Sequence, residues 1–198
     1  MAALAEPLAV CVHAVRQSGD LVGRRVLVTG CGPIGVLVML AARRAGALEI
    51  VATDLTDATL QFARKIGADR SLNTSSNPDA LASYAQGKGY FDAAFEASGA
   101  TSALRNCIET VRPGGVIVQL GLGGGDMSAP MQMVTAKELQ LRGSFRFHEE
   151  FGIAVDYIDK AMIDVKPLIS ETLPFTQARD AFELANDRSK SMKVQLAF

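Results

Sequence analysis

The feature that most constrains this 198-residue chain is a glycine-rich turn, Gly30-Cys31-Gly32-Pro33-Ile34-Gly35. The run before it, Arg25-Val26-Leu27-Val28-Thr29, is typical of a strand buried on both faces of a parallel sheet. Pro33 fits the first turn of a following helix. A strand, a G-x-G-x-x-G turn and a helix in that order indicate a dinucleotide-binding unit, whereas the glycines alone would also fit an ordinary turn.

Each position in the turn has a physical reason. Gly30 allows the tight turn, Gly32 leaves room for the cofactor pyrophosphate, and Gly35 lets the helix pack closely on the strand. The start of the helix, at Pro33 and Ile34, offers free N–H groups and a partial positive charge to the phosphates. We therefore predict that these five residues contact the cofactor.

Asp54 bears on which nicotinamide cofactor binds. It ends a second apolar run, Glu49–Thr53, and is followed by Leu55 and Thr56 rather than arginine. A carboxylate here accepts hydrogen bonds from ribose hydroxyls and repels a 2′-phosphate, so we predict NAD over NADP. The alternative is an acidic residue that only stabilises the next helix N-terminus.

Short apolar runs alternate with segments of helical periodicity, which predicts an α/β Rossmann domain with a doubly wound parallel sheet. We expect six strands, at 25–29, 49–53, 70–73, 91–96, 116–120 and 139–145. The turns Ala97-Ser98-Gly99 and Gly121-Leu122-Gly123 follow two of them, at the sheet edge where ligands bind. We predict cofactor contacts at Ser98, Gly99, Leu122 and Gly123, against the alternative of plain connecting loops.

Charge and composition exclude several classes of protein. Twenty basic and 21 acidic side chains leave a formal charge of −1, which gives no basic surface for nucleic acid. The longest apolar run, 34–42, is too short to cross a membrane, and Glu6 stands where a signal peptide would be basic. The three cysteines lack the spacing of a disulfide framework or zinc knuckle. We predict a cytoplasmic protein without nucleic-acid or membrane partners.

Several motifs resemble the zinc-dependent medium-chain alcohol and polyol dehydrogenases, in particular the sorbitol dehydrogenase group. The similarity covers essentially the whole chain. The motifs are Glu6–Val10, Gly30–Gly35, Thr53–Leu55, Lys88–Asp92, Phe95–Gly99, Gly121–Gly123, Leu141–Phe147 and Lys193–Phe198.

The resemblance implies roles and a division of the chain. Glu6 matches a glutamate beside the catalytic zinc, Arg146 matches an arginine facing the substrate, and Phe145 matches a main-chain cofactor contact. From the sequence alone, the alternative is that Glu6 is a solvated charge and Arg146 a surface residue. The implied parts are a junction with the catalytic domain (1–19), the NAD-binding domain (20–147), and helices and a strand returning to the GroES-like catalytic domain (148–198).

The family's main zinc ligands lie in an N-terminal half that this chain does not contain, and His13 and His148 have no partners at metal spacing. The resemblance therefore implies the NAD-binding part of an oxidoreductase acting on a polyol or sugar acid, inactive alone, with zinc only in the full-length enzyme. It also implies a homo-oligomer that pairs through an edge strand at Met127–Met131. The alternatives are a free-standing NAD-binding module and a related enzyme for another polyol or a threonine-like alcohol.

Overall fold

A parallel six-stranded sheet forms the centre of the protein in a computed structural model that describes residues 2–187 and 189–198. Its strands are β1 (Arg25–Thr29), β2 (Glu49–Asp54), β3 (Arg70–Asn73), β4 (Phe91–Glu96), β5 (Val111–Gln119) and β6 (Gln140–Gly143). They lie in the order β3-β2-β1-β4-β5-β6. The six predicted strands and the doubly wound fold are thus confirmed.

Helices cover both faces of this sheet. They are α1 (Ala5–Ser18), α2 (Pro33–Arg44), α3 (Asp57–Ile66), α4 (Ala82–Ala85), α5 (Thr101–Thr110), α6 (Met131–Ala136) and α7 (Glu150–Asp159). Alternation along β1 sends Val26 and Val28 into the core under α1, α2, α3 and α7, and Leu27 into the core under α4, α5 and α6. Burial on both faces explains why the central strands β1, β2 and β4 are mostly apolar, whereas the edge strands β3 and β6 are largely polar and less buried.

The strand order reverses between β1 and β4. From β1 the sheet continues through β2 to β3 at one edge, and from β4 it continues through β5 to β6 at the other. The loops after these two strands therefore diverge and open a crevice at the carboxyl ends of the strands. This crevice contains the candidate site.

The predicted edge strand at Met127–Met131, which would pair with a second molecule, stays a prediction. Among the described residues, 126–130 pair with no strand, and Met131 begins α6 with Pro130 at its N-cap. Pro130 lacks an N–H for a ladder, and its φ of −74° suits the start of a helix. Any strand here would have to be formed by pairing with a second molecule.

The C-terminal segment contains a small second sheet. Strand β7 (Ile169–Pro174) and strand β8 (Lys193–Ala197) pair in parallel, and helix α8 (Ala178–Asn186) connects them. The sequence predicts α8 and β8 but not β7, because β7 contains Ser170, Glu171 and Pro174 in place of an apolar run.

The first helix is joined to α7 by the buried carboxylate of Glu150. The Nδ1 atom of His13 lies 3.2 Å from Oε1 of Glu150, and Arg16 donates to the same oxygen at 3.0 Å. The main-chain N–H of His148 donates to the other carboxylate oxygen at 2.9 Å. Burial alone would raise the pKa of Glu150, but the main-chain N–H groups and His13 lower it to about 2. The contacts of His13 and Arg16 join residues more than 130 positions apart.

Replacing Glu150 by Gln should lower the free energy of unfolding at pH 7 by about 2 kcal/mol, because buried donors lose a charged acceptor. Because the folded-state pKa of Glu150 is depressed, its contribution is present above the unfolded pKa of about 4.3 and is lost as pH falls toward 2. Urea unfolding should therefore show a smaller difference in the free energy of unfolding between wild type and variant at pH 3 than at pH 7.

The matched control is Glu149→Gln. Glu149 also bonds to Arg16, at 2.6 Å, but its side chain is 71% exposed. We expect a change below about 0.5 kcal/mol at both pH values. Equal losses in the two variants would contradict the special role of Glu150.

Candidate cofactor-binding site

A cleft of about 530 Å³ opens at the carboxyl ends of β1, β2 and β4. It is lined by most of the residues predicted to bind the cofactor: Gly30, Gly32, Pro33, Ile34, Gly35, Asp54 and Ser98. The floor is the turn between β1 and α2, one wall follows β2, and the opposite wall runs from the end of β4 into α5. The structure thus brings together residues that are distant in the sequence.

The three glycines of the turn meet three different steric demands. Gly30 has a φ of +88°, and a Cβ there would lie 2.9 Å from the Ser98 nitrogen. A Cβ on Gly35 would lie 1.8 Å from the carbonyl oxygen of Gly30. A Cβ on Gly32 would meet no atom within 4 Å, although Gly32 lines the cleft. The first and third glycines are therefore required by the fold, whereas the space beside Gly32 is open to a ligand.

Helix α2 begins directly at this floor. Gly32 is its N-cap with no side-chain hydrogen bond, and Pro33 occupies the first turn. The unpaired N–H groups of a helix start and its dipole suit a phosphate. The floor of the cleft can therefore bind a pyrophosphate through the main chain.

Asp54 lies at the end of β2, on the cleft wall. Its Oδ1 accepts hydrogen bonds from the N–H groups of Leu55 (2.7 Å) and Thr56 (3.1 Å). Its Oδ2 accepts one from the Cys31 N–H at 2.7 Å. A carboxylate oxygen has two lone pairs, so among the described residues Oδ2 keeps one acceptor position for a ribose hydroxyl.

Cys31 contributes packing rather than reactivity. Its thiol is buried and lies 3.5 Å from the carbonyl oxygen of Thr53. Burial, and secondarily the charge of Asp54, raise the pKa of this thiol. A neutral buried thiol is not a nucleophile.

The loop after β4 is held by a carboxylate that the sequence analysis did not single out. Glu96 is fully buried, and its side chain accepts hydrogen bonds from the N–H of Ser98 at 2.8 Å and of Gly99 at 3.0 Å. Thr29 of β1 and Gln119 of β5 donate to the same carboxylate at 3.3 and 2.5 Å. A buried acid at the end of an apolar strand was the available signal, because such a charge must be paired.

Four predicted cofactor residues lie outside the lined cleft. Gly99 packs against the loop after β5, where its Cβ would lie 2.7 Å from the Leu122 carbonyl carbon and Gly123 is the next neighbour. Leu122 and Phe145 are 80% and 65% exposed. They lie after β5 and β6, at the edge across the crevice from Asp54. Their role in cofactor binding stays a prediction.

The C-terminal segment contributes to the cleft, which the sequence analysis missed. Ala185 at the end of α8, with Ser191 and Met192 before β8, lines it. The hydroxyl of Ser191 donates to the carbonyl of Leu184 at 2.7 Å and holds this turn. No sequence motif indicates the contact because it depends on how α8 packs.

The residues assigned to catalysis lie apart from the cleft. Glu6 is exposed in the first turn of α1. Arg146 is exposed, has a φ of +57°, and places its guanidinium 5.3 Å from the centre of the Phe145 ring. Across residues 2–187 and 189–198, no three His, Cys, Asp or Glu side chains are grouped to hold a metal ion. In the same part of the chain, no helix is long and apolar enough to cross a membrane.

Comparison with known proteins identifies the family to which the chain belongs. The sequence profile of the zinc-binding dehydrogenases matches residues 33–160, about two thirds of the chain. The chain belongs to the zinc-binding dehydrogenase family. The matched region begins within the glycine turn and contains Asp54, Glu96 and both loops that follow β4 and β5.

Individual relatives agree with this membership. The L-idonate 5-dehydrogenase (NAD(P)(+)) of Escherichia coli K12 is 43% identical over 99% of the chain, and the sorbitol dehydrogenase of Ovis aries is 33% identical over 98%. The chain spans 57% and 55% of these two proteins. The crystal structure of the E. coli idonate enzyme superimposes with a TM-score of 0.94 over the whole chain and 56% of that structure.

A second solved structure is informative about the ligand. An alcohol dehydrogenase from E. coli CFT073, crystallised with NADH, is 26% identical and superimposes with a TM-score of 0.91 over 98% of this chain and 58% of its own. That protein shares the fold of this chain and binds NADH.

Replacing Gly32 by Val should abolish cofactor binding without altering the fold. The Gly32 backbone is extended, with φ of −69° and ψ of −176°, so a branched residue fits it, yet its side chain would fill the space for the pyrophosphate. Calorimetric titration with NADH and far-ultraviolet circular dichroism measure the two effects.

The matched variant is Gly35→Val, which should fail to fold because its Cβ would collide with the Gly30 carbonyl. Retained NADH binding in Gly32→Val would show that the pyrophosphate lies elsewhere.

Proposed function

We propose that this chain is the cofactor-binding part of an NAD-dependent, zinc-dependent polyol dehydrogenase that oxidises L-idonate. The observation that carries the proposal is the glycine turn, which opens a helix N-terminus onto a cleft whose wall bears the Asp54 carboxylate. Pyrophosphate and ribose hydroxyls are the groups that such a floor and wall bind.

The residues of the chain would bind and orient the cofactor. The floor at Gly30–Gly35 takes the pyrophosphate and Asp54 takes the adenosine ribose. We expect the nicotinamide half to extend across the crevice toward the loops at Ser98–Gly99 and Leu122–Gly123 and toward Phe145. When bound, NAD supplies a hydride acceptor, so that an alcohol becomes a ketone with release of one proton.

L-idonate is supported as the substrate by similarity and by charge. The E. coli idonate enzyme is 43% identical over nearly the whole chain. Arg146 gives the predicted substrate side a guanidinium, which suits the carboxylate and hydroxyls of a sugar acid. Oxidation at C5 would convert L-idonate into 5-ketogluconate.

The described residues do not fit a zinc ion. Glu6 is the one position associated with zinc through the family resemblance, and it has no grouped His, Cys, Asp or Glu partners in this part of the protein. We assign the zinc to the half of the relatives that this chain does not span, with residues 1–19 and 148–198 as the parts facing it. The three cysteines are free and buried, which fits the proposed cytoplasmic location.

A second candidate function is a free-standing NAD-binding module without catalysis. The complete cleft and the lack of a metal-holding group among residues 2–187 and 189–198 favour it over a chemistry performed by this chain alone. A third is a related enzyme for sorbitol or a threonine-like alcohol, supported by the 33% identity to a sorbitol dehydrogenase.

The chain should bind NADH more tightly than NADPH by at least about tenfold, because the Asp54 carboxylate would repel a 2′-phosphate. Asp54→Ala should weaken NADH binding and reduce the preference. The measurement is calorimetric titration of both proteins with both cofactors. The comparison is informative because the E. coli relative is named for both cofactors. Equal affinities in the wild type would overturn the preference.

The 198-residue chain should neither reduce NAD with L-idonate nor retain stoichiometric zinc, whereas a protein joined to the N-terminal half typical of its relatives should do both. Absorbance of NADH and elemental analysis measure these properties side by side. Turnover by the chain alone would contradict the division of labour. If the longer protein oxidises sorbitol or threonine but not idonate, the family assignment stands and the proposed substrate is wrong.

We further propose that the enzyme is a homo-oligomer that pairs through the segment Met127–Met131, beside the edge strand β6. Met127 lines one pocket with Leu141 of β6, and Leu141, Met131 and Met133 are exposed apolar side chains. Sedimentation of the chain at micromolar concentration should show a dimer, and Leu141→Lys should dissociate it. A monomeric wild type would contradict pairing through this face.

A further inference from the structure

The Glu96 carboxylate accepts hydrogen bonds from three parts of the fold. Donors reach it from β1 (Thr29 Oγ1), from β5 (Gln119 Nε2) and from its own loop (the N–H groups of Ser98 and Gly99 and the Ser98 hydroxyl). A charged acceptor with several donors in a buried site is strongly oriented. The carboxylate therefore fixes the loop after β4 relative to both neighbouring strands.

This loop forms the cleft wall opposite Asp54. Ala97, Ser98 and Ala100 line the cleft, and the Ser98 nitrogen lies in the position that a Cβ on Gly30 would contact. A small movement of the loop would thus change the distance between the wall and the pyrophosphate-binding floor.

The same residue also positions the loop after β5. The main-chain carbonyl of Glu96 accepts hydrogen bonds from the N–H groups of Leu120 and Gly121, both at 2.8 Å. A Cβ on Gly121 would lie 2.0 Å from the Gly99 nitrogen and 2.6 Å from Glu96 Oε2. The two loops are therefore packed main chain against main chain around one side chain.

We propose that Glu96 is a positioning residue for cofactor binding, which holds the loops after β4 and β5 at the spacing that the dinucleotide needs. The inference rests on the proposed NAD-binding function and adds a residue that need not touch the cofactor. The inference predicts that a Glu96 variant loses more affinity for NADH than a variant elsewhere in the protein that is destabilised to the same extent.

The test compares two isosteric substitutions of buried carboxylates, Glu96→Gln and Glu150→Gln. Both remove a charged acceptor from several donors, but Glu150 joins α1 to α7 and does not line the cleft. We expect similar losses of melting temperature in the two variants. The dissociation constant for NADH should rise about tenfold in Glu96→Gln and stay within about twofold of wild type in Glu150→Gln.

A milder variant keeps the test decisive if Glu96→Gln does not fold. Ser98→Ala removes one hydroxyl donor to Glu96 and leaves the main-chain donors in place. It should weaken NADH binding severalfold and make hydrogen exchange of the Gly99 amide faster. The reference is the amide of Leu27, buried in β1 at the centre of the sheet, whose exchange should stay unchanged.

The outcomes separate the inference from the proposed function. If wild type does not bind NADH, the proposed function fails and the inference fails with it. If wild type binds NADH but Glu96→Gln or Ser98→Ala keeps the wild-type affinity, or if Glu150→Gln loses as much affinity as Glu96→Gln, only the inference is overturned. Selective loss in the Glu96 and Ser98 variants supports it.

Discussion

The contact between Gly35 and the carbonyl oxygen of Gly30 is the constraint on which the cofactor cleft depends. No side chain fits between them, because a Cβ on Gly35 would lie 1.8 Å from that oxygen. The close approach brings the start of α2 directly to the end of β1 and directs its free N–H groups into the crevice. The floor of the cleft is thus a consequence of backbone packing, and the side chains around it determine selectivity.

Two carboxylates, at the carboxyl ends of the strands β2 and β4 that flank β1, have different roles. Asp54 is partly exposed, and among the described residues its Oδ2 accepts a single hydrogen bond, so it keeps capacity for a ligand. Glu96 is fully buried and surrounded by donors from β1, from β5 and from its own loop. Their difference in burial and in remaining acceptor capacity distinguishes a group that meets the cofactor from one that holds the wall.

The sequence predicts the parts of the protein whose signals are local. Six strands, the glycine turn and Asp54 are each visible within a few residues, and the structure brings the turn, Asp54 and Ser98 to one cleft. The missed features depend on distant contacts. Ala185 and Met192 reach the cleft only through the packing of α8, and His13 meets Glu150 only because α1 and α7 are neighbours. The edge strand at Met127–Met131 stays a prediction, because its partner strand would belong to a second molecule.

The most direct measurement of the central claim is a titration of ¹⁵N-labelled chain with NADH, followed by amide chemical shifts. The account predicts saturable shifts concentrated at Gly30–Gly35, Asp54–Thr56 and Ser98–Gly99, with the β7–β8 sheet unaffected beyond the turn at Ser191–Met192. Absence of saturable shifts, or shifts concentrated outside the cleft, would contradict it.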